Sequence, residues 1–145
     1  MGIATHSFLF GKSYAAHAVE IEMLEAKKFR IKKIVGAIDC GLVINPDGLR
    51  NQIEGGIAFG LTQALKGEIN VKDGRVVEDG FNSYELLRFD EMPPVEIYTV
   101  ESNQDPGGVG EVGVPTVAPA LCNALAAAGV RPRNLPIRKE GFSWV

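Results

Sequence analysis

Between Pro46 and Leu65 the apolar residues Leu49, Ile53, Ile57, Leu61 and Leu65 recur at every fourth position, and Gly55, Gly56 and Gly60 interrupt the same stretch. A repeat of four matches the turn of a helix and not the alternation of a strand. Phe59 and Ala64 widen the apolar stripe, so the spacing predicts an amphipathic helix over 46–65 with one face committed to a core. Asn45-Pro46 supplies its start, a capping side chain followed by a residue whose missing N–H costs nothing in the first turn. Each interior glycine costs up to about 1 kcal/mol relative to alanine. Three together predict that this helix packs closely against another backbone.

The flanking segments have a different period. His17, Val19, Ile21 and Met23 alternate with Ala18, Glu20 and Glu22, and Phe29 to Ile38 continues after Lys27-Lys28, which predicts a hairpin across 16–38. After Gly67, Lys72-Asp73-Gly74-Arg75 marks a tight type I′ turn between two short strands, and a further strand is predicted over 95–100, after Pro93-Pro94. The stretch 101–113 is glycine-rich and aperiodic, a constrained loop. Ala120 to Ala128 reads as a second helix with a narrow, close-packing face, stopped by Gly129; Val130 to Val145, with Pro132, Pro136 and Gly141, reads as irregular surface chain. The expected architecture is α+β over 1–145 as a single domain, a mixed or antiparallel sheet with two main helices packed on it.

Composition bounds the partners. The 145 residues are 46% hydrophobic and 23% charged, with a formal net charge of −3, so no broad basic surface favours nucleic acid. The local basic run Lys27, Lys28, Arg30, Lys32 and Lys33 alternates with Phe29, Ile31 and Ile34 and reads as the solvated face of a strand. Cys40 and Cys122 stand far apart without ligand spacing, which argues for buried small hydrophobes over a zinc site or a disulfide framework. No segment has the length of a membrane span or the pattern of a signal peptide, so the chain is expected to be soluble.

Chemistry concentrates in Pro106-Gly107-Gly108-Val109-Gly110-Glu111-Val112-Gly113-Val114-Pro115. Glycines let a ligand approach the backbone, and Gly107, Gly108 and Gly110 can aim several N–H groups at an anion or oxo ligand beside one carboxylate. Taken alone, the same loop serves equally as a tight structural turn, Glu111 as a solvated acid and Gln52 as an exposed helix residue. Asp39 and Asn45 read as an Asx turn and a helix cap. His6 and His17 have no partner pattern and read as structural.

Order and spacing add a resemblance. Asp39-Cys40-Gly41, Asn45-Pro46, Gln52, Gly55-Gly56, Met92-Pro93-Pro94-Val95-Glu96, the Pro106 to Glu111 loop and Ala118-Pro119-Ala120-Leu121-Cys122-Asn123-Ala124 stand in the order of the final domain of the molybdenum hydroxylases. That family includes xanthine dehydrogenase and aldehyde oxidoreductase. Leu135-Pro136 after Gly129 and Arg131, with no His in the Gln52 block, makes the chain most similar to the isoquinoline 1-oxidoreductase beta subunit. The resemblance implies the C-terminal part of a large molybdopterin-binding subunit of an oxidoreductase. Such an enzyme hydroxylates an N-heterocycle, or oxidises an aldehyde, with oxygen from water.

The resemblance further implies that Glu111 is the catalytic base, accepting a proton as the water-derived oxygen attacks the substrate carbon. Gln52 would hydrogen-bond the pterin, and the backbone of Gly108, Val109 and Gly110 would approach the cofactor. The implied partners are the remainder of the large subunit and a small subunit with [2Fe–2S] clusters, since two cysteines cannot supply four cluster ligands. On this expectation the chain alone holds no cofactor and is inactive, and surface normally covered by its partners drives self-association. The competing expectation is a non-catalytic relic or interaction module that keeps the fold and binds no cofactor.

Overall fold

The computed structural model describes residues 1–8, 10 and 12–145. In chain order the elements are β1 (Gly2–Phe8), β2 (Ser13–Glu25), β3 (Lys28–Asp39), α1 (Pro46–Leu65), β4 (Val71–Lys72), β5 (Arg75–Val76), β6 (Val95–Thr99), α2 (Val117–Ala127) and β7 (Ser143–Trp144). Single 3-10 turns lie at Phe89–Glu91 and Ile137–Glu140. The expected hairpin is present as β2 and β3, paired antiparallel with Val19 opposite Ile34. β1 adds an antiparallel strand outside β2, β6 runs parallel along β3, and β7 pairs with the start of β3. The sheet is therefore mixed, in the order β1-β2-β3-β6, and the fold is α+β.

Alternation decides which face of the sheet is covered. Ala15, His17 and Val19 of β2 and Ile34 and Ile38 of β3 are buried, while Ala16 and Ala18 between the first three are half-buried and Tyr14 and Glu20 on either side of them are exposed. α2 lies over β1 and β2, and α1 packs on α2 and β6. The core joins Val19, Phe29, Ile34 and Ile38 to Ile53, Ile57 and Leu61 of α1 and Leu121 and Leu125 of α2. The basic run faces water, with Arg30 3.5 Å from Glu22 and Lys33 3.1 Å from Glu96.

The predicted boundaries of α1 hold at both ends. Asn45 caps it, its side chain accepting from the Gly48 N–H at 2.9 Å. The close packing read from its glycines is real at two of the three. A Cβ on Gly60 would lie 2.7 Å from the Val117 side chain, and one on Gly56 would touch the Gly113 backbone at 3.4 Å. Gly55 is different, because nothing lies within 4 Å of its would-be Cβ.

Other expectations need correction. α2 begins at Val117, three residues ahead of the predicted Ala120. Pro119 falls in the first turn, where a missing N–H breaks no helical bond, so it does not delay the start. The segment after Val130 is not merely irregular surface chain. Ile137 and Phe142 are buried, and Val145 N donates to Phe29 O at 3.1 Å as β7 extends the sheet. β1 had no counterpart among the expected strands. The β4–β5 hairpin is shorter than expected, but Asp73 and Gly74 have φ of 51° and 74°, the two positive values a type I′ turn requires.

A buried cation ties the tail to the rest. Lys66, 3% exposed at the end of α1, lies 2.6 Å from Glu91 and 3.1 Å from Glu85, and Glu85 also pairs with Arg138 at 2.6 Å. These pairs hold the carboxyls of Glu85 and Glu91 below the usual range, against the opposing effect of desolvation, which is the largest single influence on Glu91. Among the described residues no helix is long and apolar enough to cross a membrane.

Candidate functional site

β3 ends at Asp39, and the chain must turn at once to start α1 a few residues later. Asp39 accepts the Gly41 N–H at 3.2 Å, the expected Asx turn. Gly41 has φ +71°, and a Cβ there would lie 2.2 Å from Asp105 O, so only glycine fits. The 101–113 loop is thereby drawn onto this turn: Leu42 N donates to Gln104 O at 2.9 Å and Gly107 N to Cys40 O at 2.7 Å. The second bond corrects one expectation, since the Gly107 N–H is committed inside the chain. None of Gly107, Gly108 and Gly110 adopts a positive φ.

Gln52, on the exposed face of α1, reaches this loop. Its Nε2 donates to Gly110 O at 2.7 Å. Residues 58 apart in sequence are thus in contact, and the next residue is Glu111. Two clefts of about 470 Å³ each flank the bond. One is walled by Cys40, Leu42, Ile44, Gly48, Val109 and Gly110; the other by Gly55, Phe59, Glu111, Val114 and Pro115. Gln52 lines both.

Val109 is half-buried against the core, whereas Gly108, Gly110 and Glu111 are exposed. Among the described residues, the N–H groups of Gly108, Val109 and Gly110 find no acceptor, and the Glu111 carboxylate has no hydrogen bond or ion pair. A Cβ on Gly110 would meet nothing within 4 Å. Neither backbone angle nor packing within this chain therefore requires glycine at 110. Cys40 is buried, and desolvation followed by the nearby Asp39 charge pushes its thiol up. No group of His, Cys, Asp and Glu among the described residues has the arrangement to hold a metal ion.

Two features are invisible to sequence pattern alone. Leu42 and Ile44, both exposed, form an apolar wall of the first cleft; the run Leu42-Val43-Ile44 reads in sequence only as the approach to a helix cap. His17 is fully buried and its Nδ1 hydrogen-bonds the Thr116 hydroxyl, close to the end of the glycine loop.

Residues 5–93 match the family described as the molybdopterin cofactor-binding domain. The chain belongs to that family. The chain is 36% identical over 109 residues to the isoquinoline 1-oxidoreductase subunit beta of Brevundimonas diminuta, a match covering 74% of the chain and 14% of that relative. It is 32% identical over 139 residues to a probable xanthine dehydrogenase subunit of Bacillus subtilis, covering 92% and 18%. Among solved structures, quinoline 2-oxidoreductase from Pseudomonas putida superposes with a TM-score of 0.74 at 26% identity, covering 86% of this chain and 17% of that one. The chain thus spans less than a fifth of each of these three proteins. The family match stops before Glu111, whereas the match to the B. subtilis protein takes in the whole glycine loop.

The residues present suit such a cofactor. A pterin offers donors and acceptors together, and Gln52 retains its carboxamide oxygen and one N–H after bonding Gly110. The unpaired N–H groups of the loop and the bare Gly110 leave room for an electron-rich ligand to approach the backbone.

Proposed function

We propose that this chain is the C-terminal part of the large subunit of a molybdenum hydroxylase and contributes one wall of its active site, with Glu111 as catalytic base. The observation that carries the reading is the Gln52–Gly110 hydrogen bond, because it joins a helix amide suited to a pterin to the loop that bears an unpaired carboxylate. The cofactor, when bound, supplies the redox chemistry of the oxidation. Gln52 would orient the pterin through its carboxamide, and the Gly108 to Gly110 backbone would face the cofactor. Glu111 would hold a proton at a carboxylate oxygen as the substrate carbon is hydroxylated, the work of a general base. The substrate would be an electrophilic carbon of an N-heterocycle or an aldehyde, and electrons would leave through a small subunit bearing [2Fe–2S] clusters. Those partners, and the rest of the large subunit, would supply the opposite wall.

The test is made on the complete native assembly. Glu111→Gln is expected to lower turnover roughly 10²–10⁴-fold, the usual contribution of a general base, while leaving molybdenum per large subunit unchanged. Turnover within a factor of two of the native value would sink the assignment. A native assembly without stoichiometric molybdenum would favour the relic, which keeps the fold and binds no cofactor.

A further inference from the structure

His17 is a costly residue at its position. It sits in β2 between Ala4 of β1 and Gly36 of β3, fully buried, with Nε2 lacking any hydrogen-bond partner among the described residues. A buried imidazole with one nitrogen unsatisfied is less favourable than an apolar side chain of the same size. Space has also been made for it: a Cβ on Gly36 would lie 3.0 Å from His17 Nε2. What the ring gains is the bond from Nδ1 to the Thr116 hydroxyl, in which donor and acceptor depend on the tautomer.

Thr116 stands at the N-cap of α2, where threonine ordinarily accepts a hydrogen bond from its own helix. Here its side chain makes no such bond and is given to His17 instead. From Thr116 back to Glu111 the chain is a compact run of turns: Val117 N donates to Val114 O at 3.3 Å, and Val114 N to Glu111 O at 2.9 Å. Gly113 in the same run lies against Ile53 of α1. The central strand, the helix start and the glutamate carbonyl are therefore joined in one chain of short contacts.

We propose that the His17–Thr116 hydrogen bond is a latch that fixes the glycine loop, making His17 and Thr116 positioning residues for Glu111. The functional half of this inference rests on the reading of Glu111 given above; the mechanical half does not. Without the latch the α2 start can rotate, and the loop loses this polar anchor to the sheet.

The experiment uses the native assembly with Thr116→Val, which removes the hydroxyl at nearly constant shape, and Thr116→Ser, which restores it. For Thr116→Val, exchange of the hydrogen-bonded amides of the loop and the turns that follow it, Gly107, Val114 and Val117, is expected to quicken roughly tenfold, with exchange in β2 and β3 unchanged. In the same variant kcat is expected to fall about tenfold with KM nearly constant, the pattern of a misplaced reacting group rather than lost substrate binding. Thr116→Ser should return both. Loop exchange within twofold of native in Thr116→Val overturns the latch whatever Glu111 does. Quickened exchange with native kcat overturns the positioning role if Glu111→Gln abolishes turnover; if Glu111→Gln is also active, the latch stands and the Glu111 reading falls.

Discussion

Single residues in this chain carry charge states that the fold, and not the sequence, sets. Burial lowers the His17 pKa from 6.5 to about 4, so the folded protein keeps the ring neutral while the unfolded chain protonates it in the ordinary range. Above pH 6.5 both states are neutral and no penalty exists. Between pH 6.5 and about 4 the unfolded state binds a proton that the folded state does not, so stability falls as pH falls through this window. A shift of this size corresponds to a loss on the order of 3 kcal/mol. Denaturant unfolding of the chain from neutral pH down through this window should show that slope, and His17→Gln should flatten it; an unchanged slope in the variant would remove His17 as its source. The sequence could not reveal this, since a histidine on an apolar strand face looks the same with or without a threonine 99 positions away.

At the scale of elements, periodicity was readable and long-range contact was not. The four-residue repeat and Asn45-Pro46 defined α1 at both ends because cap, first-turn proline and stripe all agreed. The β2–β3 pair was readable for the same reason, from alternation on both sides of a turn. β1 was missed because Gly2–Phe8, with Thr5 and Ser7 among small residues, has little apolar signal and gains its place from pairing with β2. The tail was misread because Ile137 and Phe142 are single anchors without a period, held by a sheet edge that no local pattern encodes.

The glycines of α1 show both limits and yield a paired prediction. Gly60→Ala would push a Cβ to 2.7 Å from Val117. Overpacking of that kind should cost about 1–3 kcal/mol. Gly55→Ala enters open space. It should stabilise the isolated chain by up to about 1 kcal/mol through helix propensity. Thermal or denaturant unfolding of both variants checks this. Equal effects would mean that α1 and α2 do not meet as described. Of the proposed site, Glu111, Gln52 and the glycines are assigned only through the resemblance in motif order; that Gln52 touches Gly110 is not legible there, because the contact depends on how the loop is drawn onto the Asp39–Gly41 turn.

Across the whole molecule, one face of the sheet is covered by both helices and the other is not. On the uncovered face lie Ile3, Thr5, Tyr14, Ala37 and Tyr98, and around the clefts Ile44 is 76% and Phe59 61% exposed. Phe81 and Phe89 are 94% and 99% exposed. Under the proposed role, these exposed apolar side chains are where the rest of the subunit would pack. The chain in isolation is therefore expected to self-associate, with a sedimentation coefficient that rises with concentration. A single monomeric species across a wide concentration range would contradict that expectation. The proposed role accounts for the unpaired N–H groups of the glycine loop and the bare Gly110 in the same way: the chain would present one wall of a site whose other wall its partners supply.

The most direct test of that account isolates the chemical step. In the complete native assembly, substrate is mixed with oxidised enzyme in the absence of any electron acceptor, and the rate of the single reductive turnover is read from the absorbance of the redox centres. If Glu111 is the base, Glu111→Gln slows this step roughly 10²–10⁴-fold at unchanged molybdenum content. A native single-turnover rate in that variant, with molybdenum fully loaded, would contradict the account.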